Sequence, residues 1–131
     1  MLKINNPNNE AQPGDILHAK NNRNIPGIRP HFIIYLSPEA HSPEQFLGAM
    51  LTSSSNYGNI ALEENHFEKY DANGVEWQIY YKSSFISSDL YHKKNDWRPF
   101  TKVGQLSKDG LQFILDQIGF KDPTYSPLNE V

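Results

Sequence analysis

Five consecutive apolar or aromatic residues, Phe32-Ile33-Ile34-Tyr35-Leu36, constrain this chain more than any other stretch. The run is too short for a typical helix and suits a strand buried on both faces. Gly27-Ile28-Arg29-Pro30 leads into it. Pro30 disfavours the α region for Arg29, so the arginine should enter the strand in extended conformation. The sequence therefore predicts a central strand over 30–36, with a cation at its mouth beside a loop. Such a cation can bind an anion or serve catalysis. It can equally pair with a nearby surface carboxylate.

The flanking sequence adds more short strands. Pro13-Gly14 is a turn signal, and Asp15–Ala19 reads as a first strand. Lys20–Gly27 reads as a loop, and so does Ser37–Gln45. Phe46–Ser53 is a third strand that ends in four hydroxyl-bearing residues, Thr52 to Ser55. Ile60 and Leu62 suggest a short half-buried strand, and Glu63–Tyr70 leaves room for a helical turn. Asn73-Gly74 is a strong hairpin cue. Val75, Trp77, Ile79 and Tyr81 alternate with polar or amphipathic residues, which predicts a period-2 strand. Phe85-Ile86 suggests another, and Phe100–Leu106 a last one, with Val103 inward and Gly104 as a break. Ser107 is an N-cap candidate before Leu111, Ile114, Leu115 and Ile118 at helical spacing. Asp109 suits the first turn and Gly119 the end. The expected fold is mainly β with a C-terminal helix, an α+β chain built as a small barrel capped by helix 107–118.

The length of 131 residues fits one domain with a single core, a polar N-terminal arm 1–12 and a C-terminal tail 120–131. Seven Tyr, seven Phe and two Trp can fill a small β-rich core. With no cysteine, neither a disulfide framework nor a thiolate metal site is available. The five histidines are scattered, and neither a phosphate loop nor a His-x-x-x-His pair occurs, so the expectation is no metal and no cofactor. No apolar stretch approaches membrane-spanning length, and Met1–Pro13 holds no signal-peptide core. The sequence thus predicts a soluble cytoplasmic protein. A net charge of −3 counts against broad electrostatic binding of nucleic acid. The charge is uneven: Glu63, Glu64, Glu68, Asp71 and Glu76 oppose only Lys69, whereas Lys82, Lys93, Lys94, Arg98 and Lys102 oppose Asp89 and Asp96. Folding can bring that basic segment near Lys20, Arg23 and Arg29. Both runs can also be solvated faces.

The order of these pieces resembles the MazF/PemK/Kid family of toxin ribonucleases. The matching parts are Gly14-Asp15-Ile16, Arg29-Pro30 before the apolar strand, Thr52-Ser53 at a strand end, and Leu106-Ser107 before the last helix. The resemblance spans roughly residues 13–118 and rests on order and spacing. It implies an SH3-like β-barrel, usually a homodimer, that cleaves single-stranded RNA without metal, has no DNA substrate and is neutralised by an antitoxin protein. It implies that Arg29, Thr52 and Ser53 belong to the catalytic site. Arg29 would stabilise charge on the phosphate, and Thr52 or Ser53 would donate a hydrogen bond to it. His18 is the candidate for proton transfer near neutral pH. Lys20, Arg23, Lys82 and Arg98 are the candidates for RNA binding. The sequence departs from the pattern at Tyr80-Tyr81-Lys82-Ser83, where some members carry an arginine and an aspartate. Each candidate has a structural reading as well: Arg29 as a bridge, Thr52 and Ser53 as a strand end, His18 as a surface histidine, and Trp77, Tyr80 and Tyr81 as packing. The alternative function is therefore a non-catalytic barrel that binds a protein, a peptide or RNA.

Overall fold

A computed structural model describes residues 11–19, 32–39, 45–82, 84–94 and 100–125. The fold is mainly β, with one helix near the C-terminus. The strands are β1 (Asp15–Ala19), β2 (Phe32–Pro38), β3 (Gln45–Thr52), β4 (Ile60–Ala61), β5 (Phe85–Ile86), β6 (Tyr91–Lys94), β7 (Phe100–Gln105) and β8 (Thr124–Tyr125), with helix α1 (Lys108–Ile118) between the last two. The sheet order is β4-β5-β3-β2-β1-β7. All of those pairs are antiparallel. β3 has β2 along one edge; its other edge is shared, with β6 beside Gln45–Gly48 and β5 beside Leu51–Thr52. β8 adds to β6 in parallel.

The apolar run is central, as its composition requires. Ile34 and Leu36 point into the main core, beside Ile16, Ala49, Leu51, Ile86, Val103 and the helix residues Ile114 and Ile118. Ile33 points the other way, into a second cluster with Leu17, Phe46 and Met50. Alternation along the pleat separates the two sets.

β1 meets β7 through an irregularity: Ile16 pairs with Gly104 but Leu17 pairs with Lys102. Val103 is the extra residue, and it is buried in the main core. The bulge lets Lys102 and Gln105, three apart in sequence, share the face of Asp15. Lys102 Nζ lies 2.8 Å from Asp15 Oδ1 and donates to Gln105 Oε1 at 3.1 Å. Asp15 Oδ2 accepts the Gln12 N–H at 2.9 Å. The buried carboxylate is thus paired on one oxygen and holds the Pro13-Gly14 turn with the other.

The chain between β4 and β5, which pair with each other at one edge of the sheet, reaches β7 at the other edge and returns. Glu68 N–H donates to Gln105 O at 2.8 Å, and Ile79 N–H donates to Val103 O at 2.8 Å. These bonds sit along the outer edge of β7. They are isolated, so the sheet is open among the described residues and its strand ladder does not return on itself. The strand expected from Val75 to Tyr81 does not form. Trp77, Ile79 and Tyr81 are partly buried, but so is Tyr80, and Val75 is exposed; the backbone changes partner, from Lys69 O at Trp77 to Val103 O at Ile79. Asn73-Gly74 does turn the chain, and only the bridge between Tyr70 and Glu76 follows it.

Gly104 does not break β7. A Cβ there would stand 2.8 Å from the Ile79 carbonyl oxygen, so the bare backbone admits the crossing segment. β6 and β8 were not expected from the sequence, because their residues are polar and basic or lie in a Pro-flanked tail.

Helix α1 starts where Ser107 predicts. Ser107 Oγ accepts the Gly110 N–H at 3.0 Å and donates to Asn65 O at 2.7 Å. Asn65 belongs to a single 3-10 turn, Glu64–His66. The His66 carbonyl accepts the Ser107 N–H, and its ring stacks on Phe113 at 4.6 Å. His66 Nδ1 accepts the Glu63 N–H at 2.9 Å, which places a neutral ring's proton on Nε2. Gly110 belongs to this joint, because a Cβ there would meet His66 O at 2.1 Å.

Two consequences can be measured. Alanine is the better helix former by about 1 kcal/mol. Gly110→Ala should nevertheless lower stability, by about 1–3 kcal/mol, since it overpacks the joint. Urea denaturation reads this directly, and a stabilised variant would contradict the packing. Tyr35 gives the second. Its hydroxyl pKa is raised above the ordinary 10.0, first by burial and then by the Asp15 charge. The unfolded tyrosine ionises first, so stability is full below about pH 10 and falls as pH rises through the folded value. Asp15→Asn should bring the Tyr35 titration back toward the ordinary range, as read by ultraviolet tyrosinate absorbance. An unchanged onset would remove Asp15 from the account.

Candidate active site at one rim of the sheet

Antiparallel register decides which loop ends meet. His18 pairs with Phe32 on one side and Thr101 on the other. Phe32 pairs with Leu51, and Leu51 with Ile86. The C-terminal ends of β1 and β3 and the N-terminal ends of β2, β5 and β7 therefore share one rim. Asp15 and Gln105 lie at the opposite end of the sheet. Arg29, Lys20, Arg23 and Arg98 lie outside the described residues.

His18 follows Ile16 on the main-core face of β1 by alternation. Its ring is partly buried and lies 5.0 Å from the Phe32 ring, tilted by 33°. The phenyl ring packs against the imidazole.

Thr52 pairs with Phe85 as the last residue of β3. It follows Met50 in the alternation, so it lies on the face of the second cluster, opposite to His18. Its Oγ1 accepts the Ser54 N–H at 3.1 Å. Ser54 Oγ in turn accepts the Asn56 N–H at 3.1 Å, and Asn59 Nδ2 donates to Ser54 O at 2.8 Å. The hydroxyl-rich end of β3 thus builds its own turn, as short hydroxyl side chains do. The Thr52 hydroxyl hydrogen remains free of that bond and can donate. Ser53 is exposed beyond the strand. The structure brings His18, Thr52 and Ser53 to one rim but sets His18 and Thr52 on different faces of it.

Lys82 is exposed and lies three residues before Phe85, the partner of Thr52. Thr101 is an exposed rim residue that the sequence reading did not single out. Nothing local marks it; only the β1–β7 register sets it opposite His18. Among the described residues no three His, Cys, Asp or Glu side chains gather as a metal site. Among them, too, no helix is long and apolar enough to cross a membrane.

No protein-family model matches this chain, and no curated protein and no solved structure matches it either.

The turn geometry separates the two hydroxyl residues in a stability measurement. Thr52→Val removes the acceptor for the Ser54 N–H and should cost about 0.5–1.5 kcal/mol. Ser53→Ala should stay within about 0.5 kcal/mol of the parent. Chemical denaturation of both variants checks this, and equal losses would place Ser53 in the turn as well.

Proposed function

We propose that this chain is an endoribonuclease of the MazF kind, cleaving single-stranded RNA at the rim that carries His18 and Thr52-Ser53. Arg29 stands three residues before Phe32, the partner of His18, in the sequence. The observation that carries the reading is the register: it collects at one rim the ends of β1, β2, β3 and β7, which are separated in sequence, and with them His18 and Thr52-Ser53. The proposed chemistry needs no metal. His18 exchanges the proton of a 2′-hydroxyl or of the leaving oxygen. Arg29 and the Thr52 or Ser53 hydroxyl hold the charge that develops on the phosphate. Lys20, Arg23, Lys82 and Arg98 would contact flanking phosphates, and each neutralised phosphate adds salt dependence to binding.

In this reading the open sheet is an SH3-like barrel closed by the crossing segment 63–82, whose single hydrogen bonds replace a last ladder. The chain would act in the cytoplasm as a homodimer under the control of an antitoxin.

One observation favours a second reading. Thr52 Oγ1 serves its own turn, and Thr52 faces away from His18. A non-catalytic barrel that binds a protein, a peptide or RNA at the same rim needs no convergence of these groups on one atom.

A single experiment separates the two. Folded protein is incubated with a mixed-sequence single-stranded RNA in the presence of chelator, alongside Arg29→Ala and His18→Ala. The enzyme reading expects chelator-resistant cleavage, reduced by about 10²-fold or more in each variant. Saturable RNA binding with intact RNA recovered would support the binding barrel and end the ribonuclease reading.

A further inference from the structure

A second surface lies away from the rim. The segment after the 3-10 turn runs along β7 near Gln105, the end of that strand remote from His18. Two tyrosines rise from it. Tyr70 is 53% exposed, and Val75, across the turn, is 62% exposed. Lys69 Nζ stands 5.6 Å from the Tyr70 ring centroid and 5.7 Å from that of Tyr80. One ammonium thus faces two aromatic rings at cation–π distance. Tyr80 is fixed from both sides: its hydroxyl donates to Glu64 Oε2 at 2.6 Å, and its ring meets Phe67 edge-on at 6.5 Å. Glu76 is the bridge partner of Tyr70. Both Glu64 and Glu76 act on the Tyr80 hydroxyl, whose pKa is raised first by the Glu64 hydrogen bond, then by burial, then by these charges.

We propose that Tyr70 and Tyr80, with Glu64 and Glu76 beside them, bind an arginine- or lysine-bearing peptide segment of a partner protein, and that Lys69 occupies this site in the free chain. Charge complementarity carries the choice of partner. Lys69 is the only Lys or Arg from 63 to 76, against Glu63, Glu64, Glu68, Asp71 and Glu76. Asp71 is engaged locally, accepting the Asn73 and Val75 N–H groups at 2.8 and 3.0 Å. Glu64, Glu68 and Glu76 are exposed. They repel a polyanion and attract a cation. Exposed Tyr70 and Val75 supply apolar area that a free ion would leave uncovered, whereas the side chains flanking a peptide's arginine would cover it. Lys69 is a replaceable occupant, because an exposed cation–π contact is weak and the lysine regains hydration when displaced. An internal competitor lowers apparent affinity by the fraction of time the site is filled. This proposal does not depend on the ribonuclease reading.

The test is calorimetric titration of the full chain, at low salt, with a short peptide of alternating arginine and leucine. The expected result is saturable binding that Tyr70→Ala weakens by about tenfold or more. Lys69→Met should tighten it by about two- to fivefold, the size of one exposed cation–π contact. Lys108→Met removes the same charge from exposed helix surface and should change affinity by less than about twofold. Tyr70 is exposed, so its loss leaves the core intact, which the thermal transition verifies. The proposal is overturned if the peptide does not saturate, if Tyr70→Ala binds as the parent does, or if Lys69→Met gains no more than Lys108→Met. Equal occupancy by tetramethylammonium alone, or by oligouridylate with the same Tyr70 dependence, would also overturn it, in favour of a small cation or a nucleic acid.

Discussion

Burial of β2 on both faces is the constraint on which the rest of the structure depends. Ile34 and Leu36 need cover on one side, and Ile33 needs it on the other. A strand in that position must also satisfy backbone groups on both edges. β1 and β3 do this, and their own alternation then extends the two clusters. The helix goes to the face of Ile16, Ile34 and Leu51, where Ile114 and Ile118 complete the larger core. Burial of this extent favours the fold by about 25 cal/mol for each Å² of apolar surface. It thereby sets the frame to which every polar contact is added.

The polar contacts work as joints at the margins of that frame. At one end, the β7 bulge gathers Lys102 and Gln105 around Asp15, so a buried carboxylate is paired where the chain enters β1. Under the helix, Ser107, Asn65, His66 and Gly110 tie α1 to the 3-10 turn through backbone groups and one cap hydroxyl. That turn in turn starts the crossing segment, so the helix cap and the placement of Tyr80 and Ile79 are linked. At the other end of the sheet, the rim is made of strand ends whose side chains are less packed. This is where functional groups are usually free to act, because a rigid scaffold positions them without burying them.

The two surfaces proposed to act are opposite in chemistry. The rim offers a histidine, hydroxyls and, in the sequence beside it, cations. The second surface offers Glu64, Glu76 and the rings of Tyr70 and Tyr80 around Lys69. They are built from different side chains, so an RNA and a cationic peptide would not compete for the same atoms. The net charge of −3 hides this division, because it sums an acidic middle and a basic later segment.

Local pattern determined much of the secondary structure. Asp15–Ala19, the apolar run, the β3 strand, Phe85-Ile86, β7 and the capped helix are all readable from alternation, helical spacing and Ser107, since each depends on neighbours a few residues away. For the candidate site, the sequence could nominate Thr52, Ser53 and His18 by type and order. Only the tertiary structure decided that they share a rim, that Thr101 joins them, and that Thr52 and His18 lie on different faces, because cross-strand register and pleat parity are set by partners far away in sequence. The same is true of Val75–Tyr81. Its alternation matched the partial burial of Trp77, Ile79 and Tyr81 but not the exposure of Val75, because whether a segment becomes a strand depends on a continuous backbone partner, and here that partner changes from Lys69 to Val103 within two residues. Gly104 reads locally as a break in its strand, and Gly110 is simply a poor helix former. In three dimensions each is the place where a backbone carbonyl, of Ile79 or His66, comes too close for a Cβ.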